Sequence, residues 1–194
     1  MRYFPISLDL QGRRCLVIGQ GRLADEKEAS LRRTGASVSR IVAFEAAAAR
    51  EAYLIIAICD TQEEGATIRR FAEEHRILLN VVDQTANCNF IAPAIVERGD
   101  LMIAISTSGK CPALARRLRQ QLELEIGPEY APYLELLGET RRVVKQRLTE
   151  FDQRRAFYQR LLESNLLDTF RDEGYQTAQA KILEELQRFL REAA

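Results

Sequence analysis

Gly19-Gln20-Gly21-Arg22-Leu23-Ala24 has the G-x-G-x-x-A spacing of a dinucleotide fingerprint. In that chemistry the first glycine permits a tight turn and the second lets backbone approach a pyrophosphate. The third small residue keeps a helix close to the preceding strand, while the helix N-terminus faces the phosphate charge. Glu45 lies 24 positions after Gly21, where a carboxylate would accept hydrogen bonds from an adenosine ribose and repel a 2′-phosphate, favouring NAD over NADP. The candidate cofactor-binding set is Gly19, Gln20, Gly21, Arg22 and Leu23 at the turn, Ala43, Phe44 and Glu45 after a second strand, and Asp60 after a third. Without a nucleotide, the same residues make a plain strand-to-helix turn.

Asp83 closes the run Asn80-Val81-Val82-Asp83 and is the candidate general base; a turn or helix-capping carboxylate is its other reading. Ser106-Thr107-Ser108-Gly109-Lys110 resembles a phosphate-gripping loop but lacks the full G-x-x-x-x-G-K-[ST] pattern, and reads better as a turn. The single histidine, His75, sits beside Glu73 and Glu74 and reads as a surface residue around which no catalytic triad assembles.

These residues need a scaffold that gathers strand ends, and the hydrophobic pattern predicts one. Cys15 to Ile18, Ser37 to Phe44, Leu54 to Cys59, Ile77 to Val82 and Leu101 to Ser106 read as strands. Leu23 to Arg33, stopped by Gly35, and Glu63 to His75 read as helices. Strands alternating with helices mean βαβ units and a largely parallel sheet buried on both faces, an α/β class. Beyond residue 110 the strands cease, and Pro112 to Ile126, Tyr133 to Leu148, Arg154 to Leu162 and Thr177 to Leu190 read as helices. One connection breaks the pattern. Only eight residues, Ala46-Ala47-Ala48-Ala49 among them, separate Phe44 from Tyr53, whereas a parallel crossover takes at least ~10–12.

Composition narrows the class further. The 194 residues are 46% hydrophobic with 28 basic and 28 acidic side chains, an ordinary globular balance. Zero net charge argues against nucleic acid as a partner, and no apolar run reaches the ~18 residues of a membrane span. Met1-Arg2-Tyr3-Phe4-Pro5 shows no secretory leader. Cys15, Cys59, Cys88 and Cys111 are scattered, matching neither a disulfide framework nor a zinc site, so no metal ligands are assigned and a cytoplasmic location is expected. Of the basic residues 24 are arginine. Genomic base composition accounts for that, as does arginine's planar fork for holding carboxylates and phosphates.

Several blocks in order resemble one family. They are Tyr3-Phe4-Pro5-Ile6, Gly19-x-Gly21-x-x-Ala24-x-x-Lys27, Asn80-Val81-Val82-Asp83, Phe90-Ile91-x-Pro93-Ala94-Ile95 and Ile105-Ser106-Thr107-x-Gly109-Lys110-x-Pro112-x-Leu114-Ala115. Together they resemble siroheme synthase, in its precorrin-2 dehydrogenase/sirohydrochlorin ferrochelatase module, over about residues 1 to 150. The resemblance implies a Rossmann-type parallel sheet, a dimerisation region and a small all-helical domain. They are placed at 1–110, 111–150 and 151–194.

It also implies NAD-dependent oxidation of the tetrapyrrole precorrin-2 to sirohydrochlorin, insertion of ferrous iron as a second substrate, and a homodimer. The family's shared aspartate falls on Asp83, and a serine phosphorylated in some members falls on Thr107. Ser106, Thr107, Lys110 and Arg116 are the candidate contacts to a carboxylate-rich substrate. Asp25-Glu26 replaces a commoner basic-containing pair, and the loop after Glu45 is shorter than the family's. A dehydrogenase without the chelatase step, and a nucleotide-sensing module that turns nothing over, are the alternative readings.

Overall fold

The run Cys15-Leu16-Val17-Ile18 is buried on both sides, as its unbroken apolar character requires. A computed structural model describes residues 3–192; Met1 and Arg2, part of the stretch read for a leader, lie outside them, as do Ala193 and Ala194. The run lies in β1 (Arg14–Ile18), followed by α1 (Arg22–Arg33), β2 (Ser37–Ile41), α2 (Ala46–Ala49), β3 (Leu54–Ala57), α3 (Gln62–His75) and β4 (Leu78–Val81). The four strands form one parallel sheet in the order β2-β1-β3-β4.

Alternate residues feed two cores. Leu16, Ile18, Ile55 and Ala57 pack with Ile68 and Ala72 of α3 and Ala49 of α2, while Cys15, Val17, Leu54 and Ile56 pack with Ala24 and Leu31 of α1. Helices thus cover both faces, and each large apolar side chain buried contributes about 1.5–3 kcal/mol.

The short connection resolves in the geometry of β2. That strand ends at Ile41, three residues before its apolar run does, which leaves positions 42–53 to recross β1. The single turn of α2 seals that path with the fully buried Ala49. At the open edge of β4, a side chain imitates a strand: Asn89 Oδ1 accepts from Leu79 N at 2.6 Å, and its Nδ2 donates to the Ile77 carbonyl at 2.8 Å.

Leu101–Ser106 departs from expectation. It is not a strand of the parallel sheet; β6 (Leu101–Ile105) pairs antiparallel with β5 (Ala94–Arg98), a strand absent from the sequence reading, through Gly99-Asp100. An all-apolar run mimics a strand buried on both faces, yet the structure exposes Met102 and, across the hairpin, Ile95.

Chain contacts define two units. One comprises residues up to Pro93 with Ser106–Ala115; the other comprises the hairpin and everything from Arg116. Helix α4 (Pro112–Glu125) starts in the first unit and passes into the second at Arg116, where α5 (Tyr130–Arg147), α6 (Phe151–Glu163) and α7 (Leu166–Glu192) follow. The last is broken at Gly174, whose φ of 84° lies outside helical space. Leu136, Val144, Phe157, Leu161, Leu166 and Ile182 form the core of this helical unit. No helix among the described residues is long and apolar enough to cross a membrane.

Candidate functional site

In a sheet of this order the chain leaves β1 in one direction for β2 and in the other for β3, and the carboxyl ends of strands at such a switch point are where open α/β sheets bind ligands. Gly19 sits there at φ 118°. Its N–H donates to the Ile41 carbonyl at 2.9 Å, and a Cβ would stand 3.0 Å from both Cβ and the carbonyl oxygen of Ile58. Gly21 caps α1 at φ 83° and ψ −179°, a region that only glycine occupies readily. A Cβ on Gly21 would meet nothing within 4 Å. Among the described residues no side chain caps the first turn of α1, so its N–H groups face an open approach. Ala24 is fully buried against the Val17 and Ile56 cluster. The fingerprint positions thus provide a tight turn, an open face and close helix packing, which fits a dinucleotide pyrophosphate. Gln20, Arg22 and Leu23 flank the turn and are exposed.

Ala43 and Glu45 are exposed after β2, whereas the Phe44 ring turns inward, edge-on to Phe71 at 5.3 Å. Arg40 is committed elsewhere. Its Nε donates to the Gly19 carbonyl at 3.0 Å, and its guanidinium pairs with Asp25 and lies 3.7 Å from Glu28. Asp25, the departure from the family's basic pair, therefore has a partner of its own in this chain. Asp60 is exposed after β3, beside Cys59, whose thiol is pushed up to about 11 by burial and then by Glu64 and Asp60. Cys59 accordingly stays protonated at neutral pH and is no nucleophile.

Asp83 is exposed two residues beyond β4, held in the left-handed region at φ 60°. Among the described residues nothing hydrogen-bonds to its carboxylate, which is free to meet a ligand. The neighbouring Gln84 is buried: its Nε2 donates to the Thr61 carbonyl at 2.9 Å, and its Oε1 accepts from Asn87 Nδ2 at 2.8 Å. Cys88 Sγ reinforces the turn through Val81 N at 3.2 Å. Burial raises its thiol pKa. Gln84, Asn87 and Gly65 of α3 escaped the sequence reading, and a glycine inside a helix is the one signal that could have drawn attention to them.

The loop from Ser106 to Lys110 belongs to the same unit and meets the Asp83 turn: a Cβ on Gly109 would stand 3.0 Å from Thr85 Oγ1. Thr107 Oγ1 accepts from Cys111 N at 3.3 Å, and Ser106 Oγ accepts from Ser108 N at 3.1 Å, so both hydroxyls shape the turn. Lys110 is exposed on it; Arg116, also exposed, falls in the second unit. His75, expected at the surface, is half-buried and stacks on Phe71 at 4.1 Å. The Gly19–Leu23 turn, the Cys59-Asp60 corner and Asp83 thus follow three adjacent strands, spanning roughly 10 Å at ~4.8 Å per strand.

A parallel sheet with this switch point and an open glycine turn defines a dinucleotide-binding α/β protein with an appended helical unit. Comparison with known proteins agrees. Residues 6–50 and 42–94 match the family described as "Putative NAD(P)-binding", residues 98–123 match "Sirohaem biosynthesis protein central", and residues 129–186 match "Sirohaem synthase dimerisation region". Siroheme synthase 1 of Serratia proteamaculans is 33% identical over 97% of this chain and 44% of its own length. Siroheme synthase of Methylobacillus flagellatus is 35% identical over 82% of this chain and 38% of its own. The chain therefore spans less than half the length of these curated relatives. A solved structure titled SirC, precorrin-2 dehydrogenase, shares the fold, with a TM-score of 0.59 and 22% identity over 96% of this chain and 100% of its own. The chain belongs to the siroheme synthase family.

Proposed function

We propose that this chain oxidises precorrin-2 to sirohydrochlorin with NAD, and that it then inserts ferrous iron to give siroheme. The observation that carries this reading is the open Gly19–Gly21 turn on the same carboxyl edge as an exposed carboxylate, Asp83, that has no partner among the described residues. Residues Gly19 to Leu23 and the N–H groups of α1 would hold the pyrophosphate, with Ala43, Glu45 and the backbone of Phe44 toward the ribose and Asp60 at the β3 corner. NAD, when bound, supplies the hydride acceptor.

Oxidation removes a hydride and a proton from the tetrapyrrole, and Asp83 is the base that takes the proton. Iron insertion displaces pyrrole N–H protons, and the same carboxylate serves there. Ferrous iron is a substrate, delivered directly to the ring nitrogens. Lys110, with the Ser106 and Thr107 hydroxyls, is the proposed contact to the substrate carboxylates. Residues 1–110 form the nucleotide-binding part in this reading, with dimerisation through 111–150 and a helical tail over 151–194. The protein acts as a homodimer in the cytoplasm, where its free cysteines stay reduced.

The test is spectroscopic turnover of precorrin-2 with NAD, followed by ferrous iron. Sirohydrochlorin and then siroheme should appear. Sirohydrochlorin alone leaves a dehydrogenase without the chelatase step, and NAD binding without turnover overturns the enzymatic reading.

A further inference from the structure

We infer that Gln84 is a positioning residue for Asp83, clamping the catalytic turn to the start of α3 through a pocket that Gly65 leaves open. The inference rests on the proposed role of Asp83 and extends it to groups that never touch substrate. Asp83 sits at φ 60°, a left-handed conformation that aspartate tolerates better than most residues but still at a cost, which its surroundings must offset. Gln84 supplies that constraint. Its side chain is buried and uses both ends, donating to the Thr61 carbonyl at 2.9 Å and accepting from Asn87 at 2.8 Å. Its backbone is tied as well, since Gln84 N donates to the Val81 carbonyl at 3.2 Å and Asn87 N donates to the Gln84 carbonyl at 2.8 Å.

Thr61 is the N-cap of α3, with its hydroxyl accepting from Glu64 N at 3.2 Å, so the clamp joins the Asp83 turn to the corner that follows β3. Gly65 is the complementary half. It lies inside α3, where glycine weakens a helix, and a Cβ there would collide with Gln84 Oε1 and stand 2.8 Å from Asn87 Nδ2. The helix forgoes a better former at the one place where the amide must pass.

The test measures kcat, KM for precorrin-2, NAD affinity and Tm in Gln84→Ala, Gln84→Met, Gly65→Ala, the Gly65→Ala/Gln84→Ala double variant, and Asp83→Asn. Loosening the clamp should lower kcat by about 10–100-fold, the scale of a misplacement near 1 Å, with NAD affinity and KM within about threefold. Gln84→Met keeps the bulk but not the hydrogen bonds and should lose as much as Gln84→Ala. Gly65→Ala should lower both Tm and kcat in the wild-type background. In the Gln84→Ala background it should raise Tm and leave kcat unchanged, because the two residues act as one unit. Asn87→Ala removes only the outer donor and should lower kcat several-fold, which keeps the test open if a core variant fails to fold. Wild-type kcat in the Gln84 variants with Asp83→Asn impaired overturns the clamp alone. Wild-type kcat in Asp83→Asn overturns the catalytic reading and the clamp with it.

Discussion

Replacing Gly21 by alanine and by aspartate separates what the backbone requires from what a ligand requires. In the free protein a Cβ at position 21 meets nothing within 4 Å, so packing gives no reason for glycine there. The reasons left are φ 83° with ψ −179°, and whatever approaches the open face. Holding a side chain in that region costs about 1–3 kcal/mol. At ~2–4 °C per kcal/mol for a chain of this size, Gly21→Ala should melt about 2–12 °C lower. Gly21→Asp carries the same strain, offset by about 0.3–1 kcal/mol because its carboxylate faces the uncapped N-terminus of α1. Its stability should therefore match or slightly exceed that of the alanine variant. Nucleotide binding should divide the two sharply. A carboxylate about 4 Å from one phosphate charge costs ~4 kcal/mol at an effective dielectric near 20, roughly a 10³-fold loss of affinity. Scanning fluorimetry reads the first effect and titration calorimetry with NAD the second. If Gly21→Asp binds NAD within about threefold of wild type, the fingerprint reading fails; if Gly21→Ala melts with wild type, the backbone argument fails.

Glu45 should favour NAD: Arg40, an arginine near it in sequence that could receive a 2′-phosphate, is held by Asp25 and the Gly19 carbonyl, and Glu45→Gln should narrow the NAD/NADP ratio of dissociation constants about tenfold. Comparable wild-type constants for the two nucleotides would sink that claim. Light scattering at micromolar concentration should give a dimer mass, and a monomer mass refutes the proposed assembly. In the helical unit, Arg171 donates to Glu129 at 2.6 Å and holds its carboxyl below the ordinary carboxylate range. A lowered folded-state pKa stabilises above the unfolded value and ceases to do so as pH falls through the folded one. The Tm deficit of Arg171→Ala should thus be full at neutral pH and shrink toward zero in acid; a pH-independent deficit would contradict the pairing.

The parallel sheet and its glycine turn were legible because both are local. Cys15 to Ile18, the G-x-G-x-x-A spacing and the amphipathic stretch after it lie within one βα unit, and each constrains its neighbours directly. The place of Asp83, two residues past an apolar strand, was legible for the same reason. What escaped depends on distant partners. Thr61 and Gln84 are 23 residues apart and Asp25 and Arg40 are 15 apart, and no periodicity announces such pairs. Leu101 to Ile105 misled because an apolar strand looks the same whether a sheet covers both faces or a hairpin leaves one open. Leu166 to Phe170 was missed because Gly174 interrupts the period of α7, so only the stretch beyond it read as a helix.

The measurement closest to the central claim is precorrin-2 turnover by Asp83→Asn, with NAD affinity determined on the same preparation. Asparagine keeps the shape and removes the base, so kcat should fall by about 10²–10⁴-fold while NAD affinity stays near wild type. Siroheme formation from supplied sirohydrochlorin and ferrous iron should fall with it, since one carboxylate serves both steps. Loss of oxidation with iron insertion intact would separate the two reactions. Wild-type turnover of precorrin-2 by the variant would contradict the account at its centre, leaving Asp83 as no more than the residue that ends the β4 turn.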